Sequence, residues 1–111
     1  MCGKVCVDNN FRITNLYTAF RSRYEENYYF QGEQHDFWEL VAVLSGQIGV
    51  TAGSEVFVLD QGQAILHPPR EFHRLWSEGN SCPEIVIFTF DGENMPRSQG
   101  KIFQIDRKSV V

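Results

Sequence analysis

The sequence predicts an all-β fold, a barrel or sandwich of short, mostly antiparallel strands, and three observations carry that expectation. From about residue 28 to 106, β-branched and aromatic runs alternate with turn residues. The turns recur at strand-length intervals, at Ser45-Gly46, Ala52-Gly53-Ser54, Asp60-Gln61-Gly62, Pro68-Pro69, Glu78-Gly79-Asn80 and Asp91-Gly92. At 111 residues, 42% apolar and 14% aromatic, the chain is long and apolar enough to bury a single core without disulfides or a structural metal.

Taken in order, residues 11–24 read as a first strand. Thr, Tyr and Phe dominate them and no helix cap precedes them, although Leu16, Ala19, Phe20 and Arg23 also fit a helical face. Turn-bounded strands follow at 27–31, 34–44, 47–52, 55–59, 63–67, 72–77 and 83–90. A last alternation, Ile102-Phe103-Gln104-Ile105, comes after the loop from Pro96 to Gly100.

The strand at 34–44 is the most informative. Alternation puts Glu33, His35, Phe37, Glu39, Val41 and Val43 on one face and Trp38, Leu40, Ala42 and Leu44 on the other. The run 84–90 behaves similarly, with Ile85 and Ile87 opposite Val86, Phe88 and Phe90. A sheet with one wet face needs only one apolar face, so a further element or a partner is expected to cover the second. Trp38 and Trp76 read as packing residues, Trp38 on that second face.

Charge and targeting signals narrow the function. Acidic residues outnumber basic ones by 14 to 10, a net charge of -4, so the chain lacks the basic surplus needed to hold nucleic acid by itself. Its longest uninterrupted apolar run, Leu40 to Leu44, is far short of the roughly 20 residues that span a bilayer. The amino terminus has no signal-peptide h-region, so a soluble, cytoplasmic protein with no membrane partner is expected. Cys2, Cys6 and Cys82 form an odd set without a C-x-x-C pair; they fit a reducing compartment and read as packing residues.

Histidines occur only at 35, 67 and 73. Glu33, His35 and Glu39 stand at i, i+2 and i+6 of one strand, on one side, and His73 would join them from a later strand. Imidazoles and carboxylates so grouped can hold an ion or a polar ligand. They could instead face water, but Phe37, Val41 and Val43 on the same face are core-like and favour a pocket. His67, just before Pro68-Pro69, reads as structural or at the rim, and Arg74 as pointing away from the pocket to a surface or interface. Outside this cluster no clear acid, base or nucleophile stands out, so no catalytic residue is assigned.

These residues carry a resemblance. Glu33-x-His35-x3-Glu39-x6-Gly46 resembles the first cupin motif, H-x-H-x3-E-x6-G, with glutamate in place of the first histidine. Gly62, Pro68 and His73 match the second, G-x5-P-x-G-x2-H-x3-N, which Arg70 and Ser77 depart from at its inner glycine and its asparagine. Arg70 is therefore expected at a turn position of positive φ, with local strain. More narrowly, GEQHDFWELVAVLSG, HPPREFHRL, IVIFTFDG and KIFQID look like the amino-terminal ligand-binding and dimerisation domain of AraC-type transcription regulators, over roughly residues 10 to 106.

The resemblance implies a cupin barrel (a double-stranded β-helix, or jelly roll), with Gly46, Gly62 and Pro68 as structural motif positions. It implies a small-molecule pocket contacted by Glu33, His35, Phe37, Glu39 and His73. Metal-binding cupins would place their ion on Glu33, His35, Glu39 and His73; the sequence requires no cofactor and leaves a divalent transition metal open. Carboxylates accept hydrogen bonds, which favours sugars, polyols or cations over anions as ligand. The implied organisation is an arm at 1–10, the cupin domain at 11–106 and, at 107–111, the start of a linker to a helix-turn-helix domain absent from this chain. On this reading the chain is the sensing half of a homodimeric regulator that reaches DNA only through that absent domain. The alternative is a small metal-dependent cupin enzyme.

Overall fold

A computed structural model describes residues 12–95 and 101–105, and the elements found there are strands. They are β1 (Arg12–Arg23), β2 (Tyr29–Glu33), β3 (Trp38–Ser45), β4 (Gln47–Ala52), β5 (Glu55–Asp60), β6 (Gln63–His67), β7 (His73–Ser77), β8 (Glu84–Glu93) and β9 (Lys101–Gln104). Among the described residues no helix is long and apolar enough to cross a membrane. The expected arm at 1–10 and linker at 107–111 lie outside the described residues, as do Cys2 and Cys6.

The strands form a five-stranded sheet, β1-β8-β3-β6-β9, and a four-stranded sheet, β2-β7-β4-β5, antiparallel throughout. Alternation aims Val41, Val43, Ile65, Ile85 and Ile87 from the first sheet at Ile48, Val50, Leu59 and Leu75 from the second, and these residues make one buried core. Hydrophobic burial of these facing stripes is what holds the two layers together.

Several turns behave as their residues demand. Gly46 has a φ of 77°, and a Cβ there would come within 2.9 Å of the Pro83 Cα, so its motif position requires glycine twice over. Arg70 adopts a φ of 68°, the positive value expected of it. That strain is offset by contacts between two loops: the Arg70 N–H donates to the His35 carbonyl at 2.6 Å, Gln34 Nε2 donates to the Arg70 carbonyl at 2.8 Å, and the Arg70 guanidinium pairs with Asp36.

Three expectations need correction. The strand expected at 34–44 begins only at Trp38; Glu33 closes β2 in the other sheet, and His35 and Phe37 lie in the connection between them. The strand expected to stop at residue 90 before a turn at Asp91-Gly92 continues through both as β8, to Glu93. The second apolar face, expected to be covered by a further element or a partner, is covered from within the chain. Trp38, Leu66 and Phe90 are buried there, packed with Leu40, Phe88, Met95 and Phe103 of the same chain, and exposure is confined to the margins, at Ile13, Leu16 and Leu44. Cys82 is exposed and free, so it is not a packing residue.

Candidate functional site

The chain gathers its polar inward-facing groups at one end of the barrel. His73 opens β7 and lies opposite Glu33, the last residue of β2. Glu39 comes from the facing sheet, where it pairs in register with His67 of β6 and Thr89 of β8. His35 is brought in by the β2–β3 connection, its ring stacked on Phe37 at 4.0 Å and its carbonyl held by Arg70. The site is therefore assembled between two sheets and not along one strand.

One potential ligand atom from each of Glu33, His35, Glu39 and His73 lies within 4.8 Å of all the others. His35 Nε2 is 3.3 Å from Glu33 Oε2 and 3.1 Å from Glu39 Oε1; His73 Nε2 is 3.5 Å from an oxygen of each carboxylate. Both imidazoles are held from behind. His35 Nδ1 donates to the Phe37 carbonyl at 3.1 Å, and His73 Nδ1 donates to the Glu71 carbonyl at 3.0 Å.

These back contacts decide the chemistry. A neutral imidazole with its proton on Nδ1 presents a lone pair at Nε2. Here both Nε2 atoms would aim lone pairs at carboxylate oxygens, which repel them. The arrangement is favourable only with positive charge at the centre, either protons on the Nε2 atoms or a cation held by all four side chains. Glu39 is 5% exposed, and a carboxylate so buried demands the same compensation.

The pKa directions agree with that reading. Burial works against both charged forms, yet the His73 contact holds the Glu39 carboxyl below its usual range, and Glu39 in turn holds the His73 imidazolium above its own. Whether the residues fit a metal can be judged from the same geometry. His73 Nε2 is buried without a hydrogen-bond partner, both imidazoles have the backing contact typical of metal-ligating histidines, and two nitrogens with two carboxylate oxygens form a donor set for a divalent transition metal. The set fits.

Several neighbours had no signal in the sequence. Tyr17 sits at a register shift of β1, packs on Phe37 at 5.3 Å and donates its hydroxyl to Asp91 at 2.6 Å. Thr18 and Thr89 share a 2.5 Å hydrogen bond beside Glu39's register position. His67 is structural as expected, but it is fully buried and not at the rim: its ring stacks on His73 at 4.3 Å and its Nδ1 pairs with Glu71 at 2.8 Å. Only the four-residue spacing of His67 and Glu71 hinted at that pair. Arg74 points to the opposite face from His73, toward Phe72 and Tyr29.

Comparison with known proteins follows the geometry. Residues 15–111 match the family described as AraC-like ligand binding domain. No curated protein matches the chain. Similar solved structures include the cupin domain of Cnp3 from Schizosaccharomyces pombe, 12% identical with a TM-score of 0.64, covering 78% of this chain and 65% of that one. The protein YhaK from Escherichia coli has a TM-score of 0.70 at 12% identity, over 90% of this chain and 47% of its own. Oxalate decarboxylase from Bacillus subtilis has a TM-score of 0.60 at 17% identity, over 78% of this chain and 24% of its own. The chain thus spans less than two thirds of each of these proteins, and at such identities the likeness speaks for the fold alone. With a cupin barrel and a family match over nearly all its length, this chain belongs to the AraC-like ligand binding domains.

Proposed function

We propose that this domain is the small-molecule sensor of an AraC-type transcription regulator and receives its ligand at the polar end of the barrel. One observation carries the reading: Glu33, His35, Glu39 and His73 converge from two sheets onto one point beside the aromatic wall of Phe37 and Tyr17. Hydroxyl groups of a sugar or polyol meet acceptors in the carboxylates, while the rings cover its apolar side. A divalent metal would be held by the same four residues and, when bound, would supply a Lewis-acidic centre there. The chain's own part is to orient both imidazoles through their Nδ1 contacts and to keep Glu39 ionised.

Regulation needs a second surface. The outer face of β1 exposes Ile13 and Leu16 beside the buried Trp38–Leu66–Phe90 cluster, and a second copy of this chain packing there would give the homodimer. DNA contact then belongs to a helix-turn-helix domain outside this chain, in keeping with a net charge of -4 here.

The four-residue donor set also supports a second reading, a metal-dependent cupin enzyme. Calorimetric titration with a panel of neutral sugars and polyols, with and without Mn2+, separates the two. Saturable binding lost in Glu39→Gln and His73→Gln supports the sensor; turnover of a bound compound only with metal supports the enzyme; no binding of any panel member in either state counts against a polar-ligand site. Light scattering that finds a strict monomer at high concentration counts against the dimer.

A further inference from the structure

The outer face of the four-stranded sheet carries a feature that the barrel-end site does not use. Of the five described arginines, Arg12, Arg21, Arg23 and Arg70 each pair with a carboxylate, and Arg74 has none within 4.0 Å. Its guanidinium lies over the Phe72 ring at 5.0 Å and donates from one terminal nitrogen to the Tyr29 hydroxyl at 3.0 Å. Its Nε is buried and has no hydrogen-bond partner. A buried donor of this kind on a cation is costly unless something accepts from it.

Beside it is an open groove of about 390 Å³, within the size range of small-molecule sites. Trp76 forms its floor. The indole lies across Gly49 so closely that a Cβ there would come within 2.1 Å of the ring, and its Nε1 donates to Glu78 at 2.8 Å. Those two contacts hold the ring against the sheet where it lines the groove. Tyr29 stands 6.2 Å away, and Asn27, Thr51 and Ser77 also line the groove.

We propose that this groove is a second binding site, on the face of β7 opposite His73, and that it takes a sugar acid. The carboxylate pairs with the Arg74 guanidinium, whose Nε is buried in the free protein and is presented when the side chain turns toward the groove. The apolar C–H face of the pyranose ring lies on Trp76. Its hydroxyls meet Asn27 and Thr51. A neutral sugar leaves the guanidinium unpaired, and a hydroxyl-free aromatic acid leaves the polar lining unpaired, so each binds more weakly than the sugar acid.

The test follows the Arg74 Nε–H and Trp76 Nε1–H signals by NMR while the folded domain is titrated with D-glucuronate. Saturable shifts of both signals are expected, at least tenfold weaker for D-glucose and at least about tenfold weakened by Arg74→Gln. Trp76→Leu is expected to weaken binding while leaving the Arg74 cation in place, which keeps the test decisive should Arg74→Gln fold poorly. Glu39→Gln, at the barrel end, is expected to leave the titration unchanged; loss of the shifts in that variant would place the ligand in the barrel and overturn the second site. Acetate acting as well as glucuronate, benzoate binding more tightly, or no saturable shift at tens of millimolar would each overturn the proposal.

Discussion

Two levels of the same barrel interior differ sharply. At one level the inward positions of β3, β6, β7 and β8 are Glu39, His67, His73 and Thr89, all buried and all polar. Two residues further along the same strands they are Val41, Ile65, Leu75 and Ile87, and the core continues apolar through Val43 and Ile85. The backbone ladder is the same at both levels, so the fold does not dictate the change. The apolar level holds the sheets together through area removed from water. The polar level gains no such area and stands only because each group finds a compensating partner: Glu39 with two imidazoles, His67 with Glu71, Thr89 with Thr18. One level is held by burial and the other by the pairing of its polar groups.

Substitutions at the two levels are expected to separate these roles. Ile65→Ala, in the centre of the apolar level, is expected to cost about 2–5 kcal/mol of stability in denaturant unfolding, while the folded fraction binds ligands as before. Glu39→Gln, nearly isosteric at the polar level, is expected to weaken Mn2+ or Zn2+ binding by about a hundredfold in calorimetry. A core variant that changed affinity more than stability would erase the distinction.

The polar level also sets a pH optimum in metal-free protein. Burial pushes the His67 pKa below its ordinary 6.5, so the unfolded chain takes up more protons and stability falls as pH drops below about 6.5. For His73 burial acts in the same direction but is outweighed by Glu39, the Glu71 carbonyl and Glu33, which raise its pKa. Its contribution is complete below 6.5 and is lost as pH rises through the folded value. Melting temperatures between about pH 5 and 8 should peak near 6.5, and His67→Gln should flatten the acid limb alone. The smallest effect is expected at the surface: Arg21→Ala removes one of two arginines on Glu84, and no measurable change in melting temperature should follow.

Much of this contrast was legible in the sequence, for identifiable reasons. Strict alternation and glycine turns placed β4, β5 and β6 almost to the residue, because Ala52-Gly53-Ser54 and Asp60-Gln61-Gly62 can only be turns between such runs. The sequence also groups Glu33, His35, Glu39 and His73, with His73 from a later strand, but it puts Glu33 and His35 on the strand of Glu39. Glu33 to Asp36 are all polar and carry no alternation of their own, so extending the period-two count back from Trp38 ran one strand through a connection into another sheet. Tyr17 was missed because a register shift, which has no sequence signature, turns it toward Phe37. The sequence calls for a cover over Trp38 but does not identify it, because Met95 and Phe103 reach it only through the tertiary fold.

The four side chains at the barrel end form one centre that requires positive charge. The most direct measurement is the 15N chemical shift of the imidazole nitrogens as Zn2+ is added to metal-free protein. The Nε2 signals of His35 and His73 should move together and saturate at one equivalent, their Nδ1 protons staying in place, and Glu39→Gln should need about a hundredfold more Zn2+ for the same response. Independent titration of the two histidines, or a Zn2+ affinity unchanged in Glu39→Gln, would contradict it.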